Sequence, residues 1–127
     1  MKKEIKERIF MKPQKYTFED TNKIDLGTKV IYKYPTPTKE FDMAKMVVKG
    51  RHPAEPNKFI LEHKCQFVIY VSKGKGKIYA GDDIFEVAEG DVVFVPTDHK
   101  FAAEGEMEYI TVDVPAFFME QSEEITV

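Results

Sequence analysis

The chain has 127 residues, of which 43% are hydrophobic and 13% aromatic, which suffices for one packed core and excludes a disordered chain. Its 19 basic and 22 acidic residues are interspersed, so no concentrated basic face is available to bind nucleic acid. No apolar run approaches the roughly 20 residues of a membrane span, and the start lacks the apolar stretch of a secretory signal. The single cysteine, Cys65, cannot form an internal disulfide. We therefore expect a soluble cytoplasmic protein that contacts neither membrane nor nucleic acid.

The predicted secondary structure is β almost throughout. An opening segment, Lys2–Met11, fits either a short helix or an edge strand. After it, segments rich in Val, Ile, Phe and Tyr are separated by Gly, Pro and Asp, which is the pattern of short strands. Strands this short and closely spaced predict one all-β domain, a sandwich or barrel, over residues 1–127. In chain order the predicted strands are Lys29–Tyr34, Ala44–Lys49, Phe59–Val71, Gly76–Ala80, Ile84–Val87, Val92–Val95 and Tyr109–Val114.

The longest predicted strand, Phe59–Val71, has two distinct faces because successive strand residues point to opposite sides. Its odd-numbered positions are mostly apolar, so this face should point into the protein, and it carries His63 and Cys65. The other face begins polar and becomes apolar at Val68 and Tyr70, where it is expected to meet another sheet or subunit.

Two glycines in Gly74–Lys77 superficially suggest a phosphate-binding loop. Such a loop needs the pattern Gly-x4-Gly-Lys-Ser/Thr followed by a helix, whereas a strand is predicted to follow here. We interpret this segment as a hairpin turn, in which glycine meets unusual backbone angles.

Two segments resemble the sequence motifs of the cupin superfamily. Tyr70–Ile78 is similar to the closing strand and turn of the first cupin motif, and Gly90–Pro96 is similar to the opening of the second. The resemblance covers roughly residues 44–117. It implies a cupin-type double-stranded β-helix, which is a jelly-roll barrel, and a homodimer.

Most of the metal ligands that the resemblance implies are replaced. Counting back from Gly74 places Leu61 and His63 at the two histidines of the first motif and Phe67 at its glutamate. Counting forward from Pro96 places Phe101 at the histidine of the second motif. Only His63 is kept, so we expect the scaffold to persist without a tightly bound metal or other cofactor.

A weaker alternative keeps an atypical metal site. If the turn after Pro96 is shorter than usual, His99 takes the place of the missing histidine and faces His63, with Cys65 as a third ligand. Such a set of nitrogen and sulfur ligands, completed by water, suits a divalent transition metal. Phe67 argues against this site because a phenyl ring cannot neutralise a cation.

Three functions remain open at this point. In the first, the barrel binds a small organic ligand through residues inside it and through Arg51, which would hold an anionic group at the mouth. In the second, the protein is an enzyme, either sugar isomerase- or epimerase-like or a metal-dependent dioxygenase, with His63 and His99 as its acid/base pair. In the third, the barrel is solid and serves a structural or interaction role. The predicted ligand-binding residues are His63, Cys65, Phe67, His99, Phe101 and Arg51.

Two packing expectations accompany these hypotheses. Phe67 and Phe94 should both be buried in the barrel. The homodimer should form through the apolar residues of the opening segment together with Val68 and Tyr70, since these surfaces need cover.

Overall fold

The computed structural model describes residues 11–127, and nine strands carry most of its regular structure. Two short 3₁₀ turns, Phe18–Asp20 and Met119–Gln121, complete the regular elements. Within residues 11–127 no helix is long and apolar enough to cross a membrane. The strands are β1 (Asn22–Asp25), β2 (Lys29–Lys33), β3 (Asp42–His52), β4 (Lys58–Glu62), β5 (Gln66–Ala80), β6 (Asp83–Ala88), β7 (Val92–Val95), β8 (Phe101–Val114) and β9 (Ser122–Thr126).

The strands form one curled antiparallel sheet centred on β8. Strand β8 pairs with β3 on one side and with β5 along its whole length on the other. Strands β1 and β2 extend the sheet beyond β3, and β7 and β6 pair with successive halves of β5. Strand β4 joins β8 at the Ile60–Phe101 pair and is covered on its other side by β9. The all-β class predicted from the sequence is confirmed.

The core lies inside the curled sheet, where alternate residues of β3, β5 and β8 meet. Each of these strands is apolar along most of its inward face, which is the pattern of a sheet with one buried side. The most deeply buried side chains are Tyr109, Ile69, Ile78, Val48, Val71, Val95 and Cys65.

The predicted strand Phe59–Val71 is wrong in extent, because a turn between Glu62 and Gln66 divides it into two strands, β4 and β5. The intervening turn bonds to Gln121. The His63 amide donates to the Gln121 carbonyl at 2.9 Å, and the Lys64 and Cys65 amides donate to its side-chain oxygen at 3.0 and 3.1 Å. Gln121 is at least 56 residues away from this turn in the sequence, so the local alternation of apolar and polar residues does not reveal the turn.

The predicted hairpin at Gly74–Lys77 is also wrong, since this segment lies inside β5. Its glycines permit close approach to β8: a Cβ at Gly74 would lie 2.3 Å from the Glu106 carbonyl oxygen, and one at Gly76 would lie 2.2 Å from that of Glu104. The pairing of β5 with β8 has a register shift just before these glycines, between Val71 and Lys73. The glycines therefore serve interstrand packing rather than a turn.

The two phenylalanines that were predicted to lie in the core differ in burial. Phe67 is buried with 6% of its surface exposed, as predicted, whereas Phe94 is 54% exposed, so that prediction is wrong. Strand β7 turns Val93 and Val95 inward, which places Phe94 on the outer face beside Val68, its partner in the β5–β7 register. The opening segment lies almost wholly in residues 1–10, outside the described residues.

Candidate functional site

Charged side chains from four strands converge inside the barrel. Lys29 begins β2, Asp42 begins β3, Glu62 ends β4, and Asp113 lies near the end of β8. Asp42 and Asp113 are direct neighbours in the β3–β8 register, so both carboxyls point to the same side of the sheet. Only 9% of Lys29 and 5% of Asp42 is exposed. We refer to these four residues as the interior charge cluster.

Lys29 has no oppositely charged neighbour in direct contact. Its ammonium group lies 5.7 Å from the centroid of the Phe101 ring, and no carboxylate of residues 11–127 forms an ion pair with it. Burial lowers the pKa of Lys29 from 10.5 to about 8, and the charges of Asp113 and Glu62 offset only part of this effect. Near neutral pH this amine is therefore much closer to losing its proton than a surface lysine.

Asp113 is the group that keeps a proton in the cluster. Burial raises the pKa of Asp113 from 3.8 to about 8. The negative charges of Asp42 and Glu62 and a hydrogen bond with Asp42 add to this rise. The neighbouring carboxylate of Asp42 is held differently, because it accepts the Phe117 amide at 2.7 Å and lies 3.2 Å from the Lys33 ammonium. Because the pKa of Asp113 lies near 8, this carboxyl is largely protonated at neutral pH.

Glu62 is fixed by a buried glutamine. The Gln121 side-chain amide donates a hydrogen bond to the Glu62 carboxylate, while its oxygen accepts the amides of the 63–65 turn. Burial raises the pKa of Glu62, and the hydrogen bond from Gln121 opposes that rise. Gln121 is 3% exposed and is thus a positioning residue for the carboxylate.

Two hydroxyl groups inside the barrel have no hydrogen-bond partner among residues 11–127. The hydroxyls of Tyr109 and Thr111, both on the inward face of β8, make no hydrogen bond within residues 11–127. Tyr109 is fully buried and Thr111 is 5% exposed. A buried polar group left unpaired costs about 1–3 kcal/mol, so groups of this kind mark a place where a polar ligand or water binds. Burial and the charge of Asp113 raise the pKa of Tyr109, which therefore acts as a hydrogen-bond donor.

Cys65 lies inside, as predicted, but is chemically unreactive. It is fully buried, and its Sγ lies 3.4 Å from the Pro115 carbonyl oxygen. Burial, together with the negative charge of Asp113, raises the pKa of the thiol to about 12. Because the thiolate is the nucleophile and metal ligand, Cys65 is suited to neither role.

The predicted inward orientation of His63 is wrong. The turn after β4 carries its side chain to the surface, where it is 42% exposed. Its Nδ1 lies 2.9 Å from an oxygen of Asp98, and its Nε2 lies 2.9 Å from one of Glu123. Hydrogen bonds to Glu123 and Asp98 raise the pKa of His63. His63 therefore links three surface segments instead of facing the barrel.

The predicted site formed by His63 and His99 inside the barrel is wrong for the same reason. His99 is exposed, and its Nδ1 lies 2.8 Å from the Thr97 carbonyl oxygen. Both imidazoles lie at the surface, so neither occupies the barrel interior where the predicted acid/base pair and the alternative metal site were expected.

Arg51 organises a loop rather than standing free at the barrel mouth. Its guanidinium lies 5.0 Å from the Phe59 ring centroid and 5.3 Å from that of Tyr79. It donates to the Pro53 carbonyl at 2.6 Å and to the Lys58 carbonyl at 3.1 Å. These contacts use Nη1 and the faces of the guanidinium and fix the connection between β3 and β4, while Nη2 is buried without a hydrogen-bond partner among residues 11–127.

The residues inside the barrel do not fit the metal that the cupin motifs imply. Phe67 and Phe101, which occupy two of the ligand positions, pack edge to face with ring centroids 5.1 Å apart. Within residues 11–127 no group of three or more His, Cys, Asp or Glu side chains is placed to hold a metal ion. The positive charge near these rings comes instead from Lys29.

His52 connects the interior charge cluster to an open cleft. It is half-buried on the same face of β3 as Asp42, and burial together with the charge of Lys29 lowers its pKa to about 4. It is therefore neutral at physiological pH. The cleft beside it has a volume of about 430 Å³ and is also lined by Thr28 and Glu124.

The sequence reasoning missed the interior charge cluster, although a signal exists. In β3 the inward positions run from Asp42 through Ala44 to Val48, so one carboxylate starts an otherwise apolar face. In β8 the inward face ends in Tyr109, Thr111 and Asp113, which become more polar toward the same end of the barrel. Because a charged residue on an apolar strand face is unusual, this pattern in the sequence indicates that Asp42 and Asp113 belong to a buried polar site.

No protein-family model and no curated protein matches the sequence. Solved structures with the same fold include the Streptomyces protein Pac13, described as a nucleoside dehydratase, with 18% identity and a TM-score of 0.81 over 91% of this chain and 92% of that one. Variants of Pac13 were solved with uridine. An RmlC-like cupin from Shewanella frigidimarina has 21% identity and a TM-score of 0.68 over 83% of this chain and 93% of that one.

Oxalate decarboxylase from Bacillus subtilis is a third structural neighbour. It has 17% identity and a TM-score of 0.71 over 87% of this chain, which spans 31% of that longer protein. At identities this low the similarity is one of fold. The chain has the cupin fold, as the sequence motifs predicted.

Proposed function

We propose that this cupin-fold protein binds a small polar organic molecule inside its barrel and transfers protons on it without a transition metal. The observation that carries the proposal is the set of buried polar groups left unpaired beside two groups with displaced pKa values. Lys29 has no ion pair, and the hydroxyls of Tyr109 and Thr111 have no partner, within residues 11–127. A bound molecule with hydroxyl or carbonyl groups would satisfy all three.

The interior charge cluster has the protonation states that acid–base catalysis needs. Lys29 and Asp113 both have a pKa of about 8, so near neutral pH each is within reach of either protonation state. Catalysis is most efficient when the pKa of the acid or base lies near the working pH. Glu62, held by Gln121, supplies a second carboxyl in the same interior.

Elimination of water is the reaction class we favour. It requires one group to take a proton from carbon and another to give a proton to the departing hydroxyl. Lys29 in its neutral form and protonated Asp113 match these two roles. The fold and nearly complete overlap with Pac13, a nucleoside dehydratase, support a hydroxylated substrate of nucleoside size. Because one fold supports many reactions, the proposal depends on this chain's own interior groups.

Binding of uridine and of ribose, followed by two-dimensional NMR, tests the proposal. We expect the amide signals of Tyr109, Thr111 and Asp113 to shift on addition of at least one of these probes. Lys29→Met should weaken that binding by about tenfold or more, since a hydrogen bond to a charged group contributes about 1.5–3 kcal/mol.

Lys77→Met, on an exposed position of β5, is the matched control and should bind as the wild type does. Unchanged interior signals with both probes, or equal binding by Lys29→Met, would contradict a polar ligand site in the barrel.

We also propose that the protein is a homodimer that pairs through the outer face of β5 and β7. Val68, Tyr70, Val92 and Phe94 lie side by side there, and each is 39–61% exposed. Contiguous exposed apolar side chains of this kind are typical of an interaction surface. An isologous contact would bury the same patch on both protomers.

A further inference from the structure

Lys29 has an environment that lysine rarely occupies. Lysine is almost never fully buried unless an opposite charge pairs with it. Here Lys29 is 9% exposed, and its ammonium group lies over the face of Phe101, 5.7 Å from the ring centroid. By comparison, Lys33 lies on the same face of the same strand and is paired with Asp42 at 3.2 Å. The two lysines therefore form an internal comparison between a free and a paired amine.

From this arrangement we propose that the Lys29 amine forms a Schiff base with an aldehyde or ketone held in the barrel. The inference rests on the proposed ligand site and specifies the class of substrate as a carbonyl compound. An unpaired amine, two nearby carboxyl groups and an aromatic wall provide a nucleophile, its proton donors and a shield from water in one place.

The state of the amine supports this step. Only neutral lysine attacks a carbonyl, and burial brings the pKa of Lys29 to about 8. At pH 7 the neutral fraction is then about 300 times larger than for a lysine that titrates at 10.5. Lysines used for Schiff-base chemistry are desolvated in this way.

The carboxyl groups of the interior charge cluster supply and accept the protons that Schiff-base formation requires. The nitrogen lone pair attacks the carbonyl carbon, a C–N bond forms, and the carbonyl oxygen takes the proton of Asp113. The nitrogen then loses a proton to a carboxylate such as Glu62, and the hydroxyl leaves as water after a second protonation. Amine and carbonyl thus give imine and one water molecule, with no oxidant or reductant. In a β-hydroxy carbonyl substrate the protonated imine would also acidify the carbon that loses its proton during water elimination. A carboxylate of the cluster such as Glu62 would then take that proton in place of the bonded amine.

Reductive trapping of the wild-type protein tests the inference. The protein is treated at pH 7 with glycolaldehyde and sodium cyanoborohydride, which reduces an imine to a stable secondary amine, and the modified lysines are located by peptide mass spectrometry. We expect Lys29 to be modified at least about tenfold faster than Lys33, because burial leaves a larger fraction of the Lys29 amine neutral at pH 7 and Lys33 is held in an ion pair with Asp42. Lys29→Met should lose the rapid phase and keep the slow labelling of surface lysines.

Labelling of Lys29 no faster than that of Lys33, or no labelling of Lys29, would overturn the Schiff base. The proposed ligand site is judged separately by the NMR experiment with uridine and ribose, which needs no covalent step. If the probes shift the interior signals and Lys29 is not trapped, the ligand site stands and Lys29 acts only as a proton-transfer group.

Discussion

Replacement of Asp113 by asparagine should remove a pH dependence of stability that the wild-type protein shows. The pKa of Asp113 is about 8 in the folded protein and 3.8 without its environment. Between these values the folded state binds more protons than the unfolded state, so the free energy of unfolding falls as pH rises. One such proton contributes at most about 1.4 kcal/mol per pH unit, or about 4 kcal/mol between pH 5 and pH 8.

The expected difference is smaller than this bound because Asp113 is partly exposed to solvent. We expect the wild type to lose about 1–3 kcal/mol between pH 5 and pH 8 that Asp113→Asn does not lose. Lys29 does not mimic the effect, because its lowered pKa makes the unfolded state bind more protons, and only between about pH 8 and 10.5.

Urea unfolding followed by far-UV circular dichroism measures this difference, since the chain has no tryptophan. Glu106→Gln is the matched control, because Glu106 is an exposed carboxylate on the same strand. It should keep the wild-type pH dependence. A pH dependence in Asp113→Asn equal to that of the wild type would show that Asp113 is ionised in the folded protein, and the proposed proton donor would be lost.

Three further outcomes are expected from the structure. Phe67→Ala should lower the free energy of unfolding in urea by about 3–5 kcal/mol, whereas Phe94→Ala, which truncates an exposed ring, should lower it by under about 1 kcal/mol. Similar losses for the two variants would mean that the inward and outward faces of β5 and β7 are misassigned. The His63 imidazole should titrate above pH 6.5 by NMR, and Glu123→Gln should lower its midpoint; an unchanged midpoint would exclude their hydrogen bond. Light scattering should give the mass of two chains for the wild type and of one chain for Phe94→Lys, and a monomeric wild type would refute the dimer.

The sequence predicts the strands better than it predicts their faces. Val92–Val95 was placed correctly as a strand, but all four of its residues are apolar, so alternation does not show that Phe94 faces out. In Phe59–Val71 the alternation is clear, yet a turn interrupts it because Gln121 offers hydrogen bonds from far along the chain. Contacts between residues distant in sequence decide both cases, and a local pattern does not contain them.

The same limit explains which site residues were found. Phe67 and Phe101 were placed inside the barrel because the cupin motifs align them with ligand positions. Lys29, Asp42 and Asp113 lie on three separate strands. The sequence shows Asp42 and Asp113 as charges on largely apolar strand faces, but it does not show that the three side chains meet inside the barrel, where Lys29 and Asp42 both affect the pKa of Asp113. The chemistry of the imidazole group makes His63 and His99 candidate site residues, but in the structure His63 is at the surface and His99 bonds to the nearby backbone.

The most direct test of the account is the pKa of Lys29, because the proposed proton transfer and the Schiff base both depend on an amine that is easily deprotonated. NMR titration of protein labelled with ¹³C at the lysine ε-carbons measures it, and Lys29→Met identifies the signal. We expect the Lys29 signal to titrate with a midpoint near pH 8, well below the 10.5 of an unperturbed lysine. A Lys29 midpoint near 10.5 would mean that the ammonium group is paired or solvated, and the interior charge cluster would not be an acid–base site.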